Sequence, residues 1–145
     1  HRQGMTESFT VNRHGSRYTF AVKVFDTKAK MYDYFRRRGK AIGLKRRDGE
    51  LDFEGICMCY ERIRTRDEKR MPDIGEVLFY RDRLGAGIVA HEMLHAAMHY
   101  ERLVSQNTNA TFTPNIGKEE ERLAHTLTDL VRQFTETAYK RGLYA

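Results

Sequence analysis

Apolar and polar positions repeat along this chain with two periods, and the switches between them predict its elements. Residues 18–25, Tyr-Thr-Phe-Ala-Val-Lys-Val-Phe, are rich in β-branched and aromatic types and predict a strand. Asp26 or Thr27 suits the N-cap of a short amphipathic helix over 28–38, closed by Gly39. Residues 51–64 predict a second strand, in which Ile56, Met58 and Tyr60 alternate with Cys57, Cys59 and Glu61. A charged turn over 64–72 leads to a third strand over 74–80, placed near a sheet edge because a polar loop precedes it. Residues 84–104 predict a helix with apolar side chains on nearly every side, among them Val89, Met93, Leu94, Ala97 and Leu103, the pattern of a buried helix. A polar connection over 105–117 precedes the last helix, 118–142, with Gly142 as its stop. The order strand, helix, strand, strand, helix, helix predicts an α+β domain: a small twisted, mostly antiparallel sheet packed on helices, with one helix central and buried.

Length and composition set the limits of this reading. At 145 residues the chain can bury a core as a single domain, 1–145, without disulfide support. His1-Arg2-Gln3-Gly4, ahead of Met5, reads as an expression remnant. No stretch resembles a signal peptide or approaches the roughly 20 apolar residues of a membrane span, so a cytoplasmic location without membrane partners is expected. Asn109-Ala110-Thr111 then matches a glycosylation acceptor only by coincidence. Cys57 and Cys59 fall on one face of a strand and are expected to be reduced, buried thiols, since a soft-metal site would need two further ligands.

The net charge of +6 is uneven: residues 1–70 hold 18 Lys and Arg against 10 Asp and Glu, whereas residues 71–145 hold 8 against 10. The excess gathers in Arg36, Arg37, Arg38, Lys40, Lys45, Arg46 and Arg47. It reads as a solvated surface first, and second as a patch for DNA, a DNA-bound substrate or an acidic partner. No run of aromatics interleaves the charges, as a single-strand binder would require.

The central helix carries His91-Glu92-Met93-Leu94-His95. At 3.6 residues per turn the two imidazoles project from one face, one turn apart, where both can bind one ion. Glu92 sits about 100° around the helix beside them, placed to take a proton from a water that the ion acidifies. A glutamate and two histidines inside an apolar helix are costly to bury without partners, and a Zn2+ ion removes that cost. Zinc needs a third protein ligand. His99 extends the stripe but would strain to reach the same ion, which suits a rim or supporting role. Glu119, Glu120 and Glu121 open the last helix. There Glu120 projects roughly 30° from the centre of the apolar stripe formed by Leu123, Leu127, Leu130 and Phe134, and Glu121 roughly 130° away. Geometry therefore favours Glu120, with Glu121 as the alternative.

The His91-Glu92-x-x-His95 motif, followed some 25 residues later by a helix opening with glutamates, resembles the gluzincin class of zinc metallopeptidases. Small ImmA/IrrE-type and SprT-like proteases, including phage-borne members, are the most similar. The resemblance covers roughly residues 74–138 and implies a minimal zincin-like fold, a zinc-dependent hydrolase, and a protein or peptide substrate. It implies Glu92 as catalytic base and His91, His95 and a glutamate as ligands. In several gluzincins that glutamate begins a Glu-x-x-Ala pattern, which chooses Glu121 through Ala124. Metzincins place a third ligand at the position of Glu101, but they need a glycine where Met98 stands. SprT-like proteins use a downstream His-Gly that this chain lacks; His125 could substitute, although it lies on the polar face. The resemblance also makes 74–80 the strand that pairs with a substrate backbone. His99, Tyr100 and His125 are the candidates for a supporting or oxyanion-binding group. The alternative is a non-catalytic zincin-like protein that binds a regulator or nucleic acid through its basic N-terminal half.

Overall fold

The run Ile74-Gly75-Glu76-Val77-Leu78-Phe79-Tyr80 is buried along its whole length, as a strand covered on both faces must be. In the computed structural model, which describes residues 6–43, 53–105 and 118–144, this run lies at the heart of the fold. The elements in chain order are β1 (Glu7–Val11), β2 (Thr19–Phe25), α1 (Lys28–Ala41), β3 (Ile56–Cys59), β4 (Ile63–Arg64), β5 (Lys69–Arg70), β6 (Asp73–Tyr80), α2 (Ala86–Ser105) and α3 (Lys118–Lys140). One sheet has the order β1-β2-β6-β3, and β4 and β5 form a separate ribbon. β1 with β2 and β3 with β6 are antiparallel, while β2 with β6 is parallel. The α+β class and the mostly antiparallel sheet expected from the sequence are present.

Helices cover both faces of the sheet. On one side Met31 of α1 meets Ile56, Met58, Leu78 and Tyr80. On the other, α2 and α3 close over Val22, Val77 and Phe79 with Val89, Met93, Ala97, Leu130 and Phe134. Gly75 is required at the crossing of β6 with its neighbours: a Cβ there would stand 2.7 Å from the Met58 carbonyl oxygen and 2.8 Å from the Phe20 ring.

The structure corrects several expectations. β6 lies next to an edge but is not itself the edge strand, because β2 and β3 flank it. Glu76 is buried within this strand. It accepts hydrogen bonds from Tyr34 Oη, from Arg38 Nε at 2.7 Å and from Tyr60 Oη at 3.2 Å. α1 is capped by Thr27, whose hydroxyl accepts from the Lys30 amide. It runs past Gly39, which is buried within the helix, and ends before Gly43 at φ 78°. The strand expected over 51–64 is divided into β3 and β4, and the charged turn holds a hairpin closed by β5. β1 escapes a pattern search because it offers only Phe9 and Val11 to the core. α3 stops as expected: Leu143 N–H bonds the Ala138 carbonyl and Gly142 takes φ 69°. The suspected remnant at 1–4, the 44–52 loop with Lys45, Arg46 and Arg47, and the 106–117 connection lie outside the described residues.

α3 is tied to the turn between β1 and β2. Gln133 bonds both the amide and the carbonyl of Asn12, each at 2.8 Å. Buried Asp129 accepts from Arg13 Nη1 at 2.8 Å, the His14 amide at 3.0 Å and Arg132 Nη2 at 2.9 Å. Burial pushes the Asp129 pKa up, but the His14 amide and the Arg13 guanidinium outweigh it, and the net direction is downward from 3.8. An unfolded chain titrates this carboxyl at its ordinary value, so the stabilisation is complete above about pH 4 and is lost as pH falls through the lower folded value. Thermal midpoints of wild type should therefore fall below about pH 4. Asp129→Asn should be less stable at pH 7 and should show a shallower acid decline. Parallel declines for the two proteins would contradict the assignment.

Candidate metal centre

α2 packs inward through Val89, Met93, Ala96, Ala97 and Tyr100. The helical repeat then turns His91 and His95 outward, and both are exposed together with Ala90 and Leu94. α2 is therefore half-buried rather than enclosed as its all-round apolarity suggested. Alanine adds apolar character at positions that need no cover. The His91 and His95 rings stand 5.0 Å apart between centroids, at 80° to each other. Among the described residues neither imidazole nitrogen has a hydrogen-bond partner.

Glu92, between them in sequence, turns toward the sheet and is 6% exposed. Ligating atoms of His91, Glu92 and His95 all lie within 4.8 Å of one another. The carboxylate has no hydrogen-bond donor among the described residues. Burial raises its pKa, and the two imidazoles pull it partly back. Its oxygens border the groove, where water or a cation can complete them.

The three side chains line a groove of about 470 Å3 between α2 and β3. Among the described residues β3 is the last strand of the sheet, bonded to β6 on one side only. Just before it, Gly55 passes close to Glu92: a Cβ there would stand 2.9 Å from Glu92 Cγ and 3.3 Å from Oε2. Only glycine lets the backbone come this near. Along β3, Ile56 and Met58 are buried under α1, so Cys57 and Cys59 face α2. Both are half-buried in the groove wall rather than core thiols, with sulfurs 3.6 Å apart and Cys59 Sγ 4.0 Å from the His95 carbonyl oxygen. Contact with Cys59, reinforced by burial, raises the Cys57 thiol well above its ordinary range. Contact with Cys57 lowers Cys59 against its burial, with help from Arg102.

Other candidates are placed elsewhere. Glu120 and Glu121 are exposed and do not join the group formed by His91, Glu92 and His95. α3 runs antiparallel to α2, and Thr126 Oγ1 donates to buried Glu101 at 2.7 Å. From that level the first turn of α3 extends past Ser105, and at 1.5 Å per residue Glu120 lies about 18 Å along the helix axis from His95. Glu101 is buried against α3 in this bond and does not join the group formed by His91, Glu92 and His95. His125 is exposed on α3 and pairs with Glu121 at 3.5 Å, away from the groove. His99 does line the groove, but its Nε2 lies 3.0 Å from the Tyr60 carbonyl oxygen and burial lowers its pKa, so it joins α2 to the end of β3. Tyr100 is buried in the core. Of the basic cluster, Arg38 is committed to Glu76 and Arg37 pairs with Asp33 at 3.4 Å, while Arg36 is exposed.

Sequence reasoning missed Gly55 and the placement of the thiols. A glycine four residues after the predicted strand begins, followed by Cys-x-Cys on one face, was the available signal. No helix among the described residues is long and apolar enough to cross a membrane. No protein-family description matches the chain, and neither a curated protein nor a solved structure matches it.

Proposed function

We propose that this protein is a metal-dependent peptidase, with His91 and His95 holding a Zn2+ ion and Glu92 acting as general base. One observation carries the reading: Glu92, 6% exposed and without a hydrogen-bond donor among the described residues, stands beside two exposed imidazoles at the wall of an open groove. Imidazole nitrogens suit Zn2+, and His91 and His95 supply two of them; among the described residues no further ligand joins the pair besides Glu92, which acts as the base. Zn2+ supplies a Lewis acid that polarises a carbonyl and acidifies water. Glu92 takes the proton of the attacking water and passes it to the leaving amine.

The side of β3 that is unpaired among the described residues is the surface for an extended substrate. Its backbone groups run alongside α2, so a peptide added there as a further strand would pass His91 and His95. This assigns to β3 the role that the resemblance implied for 74–80. Protein or peptide chains are the substrate class, since strand addition reads backbone and not side-chain identity.

Hydrolysis of an unfolded protein substrate by the purified chain should stop on treatment with a zinc chelator and return on adding Zn2+. Activity that survives complete metal removal, or an inert protein at full zinc occupancy, would defeat the proposal.

A further inference from the structure

We infer that Cys57 and Cys59 form a second, sulfur-based site for a thiophilic divalent cation of the Zn2+ or Cd2+ type. The site is distinct from the imidazole pair, because neither sulfur belongs to the group made by His91, Glu92 and His95. Its spacing is the first argument. Two thiolates each about 2.3 Å from one ion subtend 3.6 Å when the angle at the ion is about 103°, close to tetrahedral. A disulfide would need the same sulfurs to close to about 2.05 Å. The ladder opposes that movement, because Cys57 is paired with Val77 and Cys59 with Gly75 on the central strand.

Access is the second argument. The two thiols point away from the α1 core and line the groove, so an ion can reach them from solvent; no further His, Cys, Asp or Glu among the described residues joins them, and water fills the two positions that the sequence leaves without a ligand. Thiolate softness selects zinc or cadmium over magnesium or calcium. Sulfur binding displaces one proton from each thiol to solvent and involves no electron transfer.

Cadmium alone is the probe, titrated into the full chain after reduction and removal of metal. The chain has 2 cysteines, so a sulfur-to-cadmium charge-transfer band in the ultraviolet reports this pair. The band should appear in wild type and persist in a His91→Ala/His95→Ala double variant. It should disappear in Cys57→Ser and in Cys59→Ser, each checked for a native circular dichroism spectrum. Cadmium-113 NMR of unsubstituted protein gives the same answer without relying on the folding of a variant, through a shift in the range of sulfur ligands. A band absent from wild type, one that survives either serine variant, one that needs the histidines, or a cadmium shift in the range of oxygen and nitrogen ligands alone would overturn the inference.

Discussion

Glu92→Gln should retain zinc at the wild-type level and lose peptide hydrolysis by about 100- to 10,000-fold, the range for removing a positioned general base. Glutamine keeps the shape that fits against Gly55 and Ile88, so folding should be preserved. It removes the proton acceptor and the charge. The variant also distinguishes base from ligand, because a carboxylate bound to the ion would release metal when neutralised. Zinc content by elemental analysis, measured beside the cleavage rate, reads both properties. Loss of zinc together with activity would make Glu92 a ligand, and unchanged cleavage would remove it from the chemistry.

The largest effect on stability is expected at Arg38. Its guanidinium is the only cation bonded to Glu76 among the described residues, and the Glu76 side chain is 4% exposed. The Tyr34 and Tyr60 hydroxyls complete the cluster, and burial with the Glu76 contact raises the Tyr34 pKa far above its ordinary value. Arg38→Ala leaves the carboxylate charged and enclosed, at a cost of about 3–5 kcal/mol. Midpoints of thermal unfolding should fall by roughly 10 °C or more. Arg37→Ala breaks only a pair exposed on both sides and should cost about 0–1 kcal/mol. Equal effects of the two substitutions would show that the buried pair contributes nothing special. The comparison also separates the structural arginine from those still available to a nucleic acid or an acidic partner.

Much of the frame was legible from periodicity. The strand over 74–80 and the helices over 84–104 and 118–142 match β6, α2 and α3 to within a few residues, because their apolar repeats are long and their stops are glycine or polar. The position of β6 in the sheet was not legible. An unbroken apolar run is the pattern of a central strand, but the preceding polar loop points to an edge, and the sequence does not reveal the buried partners of Glu76. The histidine pair and its glutamate follow from local helix geometry, which a sequence specifies. The third ligand does not, since a helical projection gives the angle of Glu120 around α3 and says nothing of its height along α2. That height is fixed by Thr126 meeting Glu101, a contact between distant segments. Cys57 and Cys59 were read as a pair on one strand face, and only the packing of Ile56 and Met58 under α1 decides which face it is.

Zinc content of the purified chain, compared with His91→Ala and with the Glu120→Ala/Glu121→Ala double variant, addresses the central claim most directly. With the Cys57 and Cys59 thiols alkylated in every sample, wild type and the double-glutamate variant should each hold about one zinc per chain, and His91→Ala should hold almost none. Zinc that is absent from wild type, or that stays bound when His91 is removed, would contradict the account.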